Sequence, residues 1–86
     1  MNKTIHQYVN NRAGERVGCV AAVDKGQVGW SLCKLSSGDV FDKKIALDIA
    51  VGRALVNPVQ DLKDVPHVLR EHVEFFKNKR AVAYYK

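Results

Sequence analysis

The chain has 86 residues, of which 47% are hydrophobic and 27% charged, so it is large enough for one small folded domain and too apolar to be disordered. No apolar run approaches the roughly 20 residues that span a bilayer, and the N-terminus lacks the apolar segment of a signal peptide, so we expect a cytoplasmic protein. The net charge of +5 favours an acidic partner, whether nucleic acid, nucleotide or protein, although it also keeps a small protein soluble.

The first part of the chain predicts a three-stranded antiparallel sheet. Residues 4–9 alternate weakly and contain β-forming side chains. Residues 17–23 are apolar on both faces, which is typical of a central strand. Residues 28–35 predict a third strand, in which we expect Trp30 to lie over the helix that follows. The two connections are too short for parallel crossovers, so the strands should form a meander.

The stretch from Asp39 to Leu55 predicts the first helix. Its apolar residues recur at three- to four-residue intervals, which is the spacing of one buried helix face: Phe41, Ile45, Ile49, Ala50 and Leu55. Ser37 or Asp39 is the expected N-cap. Gly52 is costly inside a helix, so we expect the backbone of residues 17–23 to lie close to it.

The first helix should end near Val56, because the residue before Pro58 disfavours helical backbone. Asp64 is then expected to cap a second helix that begins near Pro66. This helix has an apolar side formed by residues at helical spacing: Val65, Leu69, Val73 and Phe76.

Residues 81–85 could extend the second helix, form a fourth strand or be a tail, and one valine with two tyrosines favours a short strand. The predicted fold is therefore α+β, with a three- to four-stranded antiparallel sheet packed against two helices in the order βββαα(β). We expect one domain over residues 1–86.

Neither a catalytic group nor a metal site is predicted. Cys19 and Cys33 lie in no nucleophile motif, and in a cytoplasmic protein we expect them to be reduced core thiols. His67 and His72 are five residues apart and so do not share a helix face, which favours surface histidines over zinc ligands. A phosphate-binding glycine loop is also missing from the sequence. We therefore expect a protein without enzymatic activity, metal or cofactor.

Basic residues on the two predicted helices are the candidate contacts for an anionic partner: Lys43, Lys44 and Arg53 on the first, and Arg70, Lys77, Lys79 and Arg80 on the second. If both helices cover the same sheet face, their outer sides form one adjoining basic surface. Lys43 and Lys44 also lie beside free N–H groups at a helix start, which favours a small anion site. The alternative is a solvated helix face of mixed charge, since acidic residues interrupt the basic ones.

A three-part pattern runs through the middle of the chain: Trp30-Ser31-Leu32-Cys33, then Asp39-x-Phe41-Asp42-Lys43-Lys44, then Ile49-Ala50-x-Gly52-Arg53-Ala54. It covers about a quarter to a third of the residues and resembles short phage-encoded accessory proteins. The resemblance implies a phage or prophage protein that acts by binding. Such proteins inhibit host machinery or host defence systems, or capture a nucleotide signal. No functional residue is assigned through this resemblance.

Three hypotheses follow. The first is a non-enzymatic phage-type protein that binds a host macromolecule stoichiometrically and inhibits it in the bacterial cytoplasm, with Lys43, Lys44 and Arg53 at the centre of the contact. The second is direct binding of nucleic acid, which predicts a steep salt dependence. The third is a sponge for a phosphate-bearing nucleotide, held by the same two lysines. No membrane partner is expected, and pairing with a second copy through an edge strand is open.

Overall fold

The computed structural model describes residues 3–86 and contains a three-stranded antiparallel sheet in the order β1-β2-β3. The sheet and the two helices that follow it are β1 (Ile5–Asn10), β2 (Arg16–Asp24), β3 (Gln27–Leu32), α1 (Lys43–Val56) and α2 (His67–Phe75). Short 3₁₀ turns precede the two helices, at Leu35–Ser37 and Leu62–Asp64. The predicted α+β class and the βββαα order are confirmed.

The two helices pack on opposite faces of the sheet. Cys19 and Ala21 of β2 contact α1, whereas Val20 and Ala22 of the same strand belong to the core that contains α2. The chain changes faces after α1 by passing around the outer edge of β3. The proposal of one adjoining basic surface on both helices is therefore wrong.

The buried face of α1 consists of alanines rather than of the larger residues that the spacing predicted. The helix residues buried against the sheet are four positions apart: Ala46, Ala50 and Ala54. Ile45, Ile49 and Leu55 are 59%, 42% and 59% exposed, so their predicted burial is wrong. Phe41 is half-buried in the segment before the helix, and Ala50 is the one residue of the predicted face that lies in the core.

Gly29 explains why only small residues of α1 face the sheet. A Cβ atom at Gly29 would collide with the carbonyl oxygen of Ala50 and the amide nitrogen of Ala54. The backbone of α1 therefore lies almost directly on β3, and a branched side chain between them would push the helix away. The buried hydroxyl of Ser31 adds a hydrogen bond to the Ala46 carbonyl, at 2.8 Å.

The start of α1 differs from its prediction, but its end does not. Asp42 is the N-cap, and its carboxylate accepts the N–H of Ile45 at 3.1 Å. Ser37 and Asp39, the predicted caps, lie further back, because a 3₁₀ turn and seven other residues separate β3 from the helix. The helix ends at Val56, as predicted.

The second helix begins at His67, three residues after its predicted cap. Asp64 instead ends a 3₁₀ turn, which is capped by Asp61 through a hydrogen bond from the N–H of Lys63 at 2.9 Å. The predicted apolar side is confirmed, since all four of its residues are buried: Val65, Leu69, Val73 and Phe76.

A π turn at Phe76–Arg80 joins α2 to a short helix, α3 (Ala81–Tyr84). The extra residue of the π turn places Ala81 in the core five positions after Phe76. Tyr85 follows, and its hydroxyl lies 2.8 Å from the carbonyl oxygen of Ala22. The short fourth strand favoured for residues 81–85 is therefore not formed, and the alternative of a helical extension is confirmed.

Replacing Gly29 by alanine is expected to lower the free energy of unfolding by about 1–3 kcal/mol, because the new methyl group separates α1 from β3. Gly52→Ala is the matched control. A Cβ at Gly52 meets nothing within 4 Å, so the close neighbour predicted for this glycine is wrong. Alanine there should raise the free energy of unfolding by about 1 kcal/mol through helix propensity. Urea unfolding followed by circular dichroism measures both, and equal effects would contradict the close packing at Gly29.

Candidate functional site

The seven predicted basic residues lie on two separate surfaces. Three belong to α1, on one face of the sheet, and four belong to α2 and the π turn, on the other. Three of the four residues in the second group contact other parts of the fold. Arg70 donates a hydrogen bond to the Val65 carbonyl at 3.2 Å, and Lys77 donates one to the Gln60 carbonyl at 3.3 Å. The guanidinium carbon of Arg80 lies 5.5 Å from the centre of the Phe76 ring. The structure therefore divides the predicted site.

Arg53 is also held within the fold. Its Nη1 donates to the carbonyl oxygen of Trp30 at 2.9 Å, and its guanidinium carbon lies 4.6 Å from the centre of the Trp30 ring. Trp30 itself packs against the core on the α2 side, so its predicted position over α1 is wrong. Arg53 thus covers the edge of β3 and holds the tryptophan, whereas Lys43 and Lys44 are exposed at the start of α1.

An open groove of about 250 Å³ lies beside the first half of α1. We call it the α1 groove, and its apolar lining comes from the end of β3, the connecting segment and the helix: Leu32, Cys33, Val40, Phe41, Ile45 and Ile49. Val40 is 88% exposed. Sequence analysis missed this surface because it placed Phe41, Ile45 and Ile49 in the core. Alanines at four-residue spacing form a second apolar stripe on this helix, and they were the signal that the larger residues could face outward.

The charged residues that line the α1 groove are acidic. Asp39 and Asp42 line one end of it, and Lys43 and Lys44 follow directly in the chain. The Asp42 carboxylate already accepts the N–H of Ile45 at the helix start. A phosphate bound there would compete with this carboxylate for the same donor and would be repelled by it.

A second group of residues, the Tyr8 cluster, lies at β1 beside the start of α1. The ring of Tyr8 meets His6 and Phe41 edge to face, with ring centres 5.2 and 6.0 Å apart. The charged groups of Arg16 and Lys43 lie 5.2 and 5.8 Å from its centre. Of these five residues only Lys43 was predicted as a site residue. The weak alternation of residues 4–9 was the available signal, since it places positions 6 and 8 on one face of the strand.

The two cysteines are free thiols, and only Cys19 lies in the core as predicted. Cys19 is fully buried between β2 and α1, whereas Cys33 is half-buried in the α1 groove. Burial raises the pKa of the Cys19 thiol from 9.0 to about 11, because a thiolate is poorly solvated there.

Metal-binding clusters, membrane-spanning helices and similarity to known proteins do not indicate a function for the described residues. Among residues 3–86 no cluster of three or more histidine, cysteine or acidic side chains is arranged to hold a metal ion. Within the same residues no helix has the length and apolar character needed to cross a membrane. No protein-family model, curated protein or solved structure matches the chain.

A thiol reagent such as DTNB is expected to label Cys33 in the folded protein and Cys19 only after unfolding, because the reactive species is the exposed thiolate. Absorbance should report one equivalent per chain in buffer and two in urea. Cys33→Ser should remove the first equivalent. Equal rates for both cysteines in the folded protein would contradict the burial of Cys19.

The raised pKa of Cys19 also predicts how stability depends on pH. The unfolded chain releases the Cys19 proton near pH 9.0, whereas the folded chain keeps it up to about pH 11. The contribution of the neutral thiol is therefore complete below pH 9.0 and is lost as the pH rises to about 11. Urea unfolding of the wild type should show this loss relative to Cys19→Ala. Parallel pH profiles would argue against it.

Proposed function

We propose that this protein acts by stoichiometric binding of a partner protein, with the α1 groove as the apolar centre of the contact. The observation that carries the proposal is the exposure of Val40, Ile45 and Ile49 in one groove. Exposed apolar side chains that gather in one place commonly mark an interaction site, whereas scattered ones do not. An apolar centre with a charged rim is also the usual anatomy of a protein–protein interface.

The lysines at the start of α1 and the net positive charge support an acidic partner. Lys43 and Lys44 are exposed and follow directly after Asp42, which lines the groove, and the net charge of +5 steers an acidic surface towards the protein. Arg53, which the sequence placed at the centre of the contact, is held on Trp30 and lies outside the proposed interface.

The resemblance to phage-encoded accessory proteins supports a host macromolecule as the partner. The three segments that carry the resemblance supply most of the groove, through Leu32, Cys33, Phe41 and Ile49. Occupation of a host protein surface by these residues would inhibit host machinery or a defence system in the bacterial cytoplasm without any catalytic step. Affinity would then come from desolvation of a few central side chains.

Affinity capture from nuclease-treated bacterial lysate tests this proposal. The variant Ile45→Ser with Ile49→Ser should capture at least tenfold less partner than the wild type, which is about 1.4 kcal/mol of binding free energy. Leu55→Ser is the matched control, because Leu55 is as exposed as Ile45 and lies on α1 outside the groove. The same partner should survive nuclease treatment and bind Leu55→Ser normally.

Capture that is equal in all three proteins would place the contact elsewhere. The double variant Lys43→Glu with Lys44→Glu measures how much the two lysines at the start of α1 contribute to partner affinity. This variant should bind more weakly and lose most of the salt dependence of association, since rim charges act mainly on encounter.

The Tyr8 cluster supports a second candidate function, the binding of single-stranded nucleic acid. Its aromatic rings lie among the cations Arg16 and Lys43, a combination that proteins use to contact bases and phosphates together.

Fluorescence anisotropy with a labelled oligonucleotide at several salt concentrations tests this function. Arg16→Glu should weaken binding and reduce the slope of log affinity against log salt by about 0.7 for each phosphate that the variant no longer neutralises. Lys63→Glu, the same charge change in the turn before α2, should leave both unchanged. An affinity that is independent of salt would exclude this function.

A further inference from the structure

The outer edge of β1 is a free sheet edge. The N–H of Cys33 donates to the carbonyl of Val17 at 2.7 Å, which fixes the alternation of hydrogen bonds in the ladder. With the observed register, His6 and Tyr8 turn their N–H and C=O groups away from β2. Within residues 3–86 no strand pairs with this edge.

The opposite edge of the sheet is covered by the chain itself. Val59 donates its N–H to the Val28 carbonyl at 2.9 Å, and Arg53 donates to the Trp30 carbonyl. Exposed edges are usually blocked in this way, because unpaired N–H and C=O groups accept a further strand. The contrast between the two edges singles out β1 as a pairing surface.

A groove of about 500 Å³ lies beside β1 on the other face of the sheet. On this face Ile5 and Val9 of β1 are buried in the core that contains α2, and Gln7 between them is partly exposed beside the helix. Gln7 forms its floor, and its helical wall includes two acidic residues, one exposed aromatic ring and one lysine: Glu71, Glu74, Phe75 and Lys79. Phe75 is 49% exposed, whereas Leu69 and Val73 of the same helix are fully buried.

The helical wall of this groove is self-complementary about Phe75. Glu71 lies four residues before Phe75 in α2 and Lys79 lies four residues after it in the π turn, so opposite charges flank the ring. His72 and Asn78 are likewise three residues on either side. A two-fold axis at Phe75 would bring Glu71 against the partner's Lys79, and an interface between identical chains requires such self-complementary pairs.

We propose that this groove and the β1 edge are covered by a second copy of the chain, which forms a two-fold symmetric dimer with a continuous six-stranded sheet. One axis serves both elements, because Gln7 and Phe75 line the same groove. An axis at Gln7 pairs His6 with the partner's Tyr8 through their outward backbone groups. The same axis sets Phe75 against the partner's Phe75 and Glu71 against the partner's Lys79.

This dimer is independent of the proposed function. The α1 groove lies on the other face of the sheet and stays open, so the dimer presents two copies of it. A failure of dimerisation would therefore leave partner binding untouched, and a failure of partner binding would leave the dimer untouched.

Charge reversal with rescue tests the dimer by multi-angle light scattering of the full chain. The wild type should elute at twice the monomer mass of 9.6 kDa. Glu71→Lys and Lys79→Glu should each weaken the dimer by about tenfold or more, because the axis repeats the pair and each change creates two repulsive contacts. The double variant, which exchanges the two charges, should restore the dimer. Lys25→Glu, an exposed change in the turn between β2 and β3, is the matched control.

His6→Pro tests the strand pairing separately. Proline removes an N–H that points away from β2, so the β1–β2 ladder keeps its bonds while the edge loses a donor. This variant should be monomeric with an unchanged circular dichroism spectrum. A wild type that is monomeric at all concentrations, or a dimer that survives both single charge reversals, would overturn the proposal. The proposal would also be overturned if the protein stayed monomeric and bound a different protein through the β1 edge.

Discussion

The close contact between the backbone of α1 and the surface of β3 at Gly29 determines most of what this protein presents to its surroundings. Because Gly29 has no Cβ, the helix packs so close to the sheet that only alanine methyl groups fit between them. Ala46, Ala50 and Ala54 then form the entire buried stripe. The isoleucines of the helix have no room on that side, so they turn outward. Tight packing at one residue thus produces the exposed apolar groove on which the proposed function rests.

The distribution of charge follows from how the chain leaves α1. The segment after the helix passes around β3, where Val59 pairs with the strand edge, and the chain reaches the opposite face before α2 begins. The basic residues of α1 are therefore separated from those of α2 and the π turn by the thickness of the sheet. Arg53 is used to hold Trp30 and block an edge. A net positive charge on a small protein does not imply one basic surface, because tertiary contacts occupy part of it.

The two surfaces that remain are of different kinds. The α1 groove is apolar with two acidic residues in its lining, and it suits a foreign protein surface. The groove at β1 and α2 combines a free strand edge with opposite charges that flank Phe75, and it suits an identical chain. Their positions on opposite faces of a thin sheet let both act in the same molecule. A three-stranded sheet is small, and its extension by a second copy would also protect its exposed edge.

The sequence by itself determined the order of strands and helices, the meander, the buried side of α2 and the end of α1. Local spacing and the proline after Asn57 are enough for these, because they depend on residues near one another in the chain. It did not determine the buried side of α1, since that helix has two apolar stripes and spacing alone favoured the larger residues. Only the tertiary structure decided between them, through the missing Cβ of Gly29. The face on which α2 packs depends likewise on the path around β3, a long-range property that no local pattern encodes.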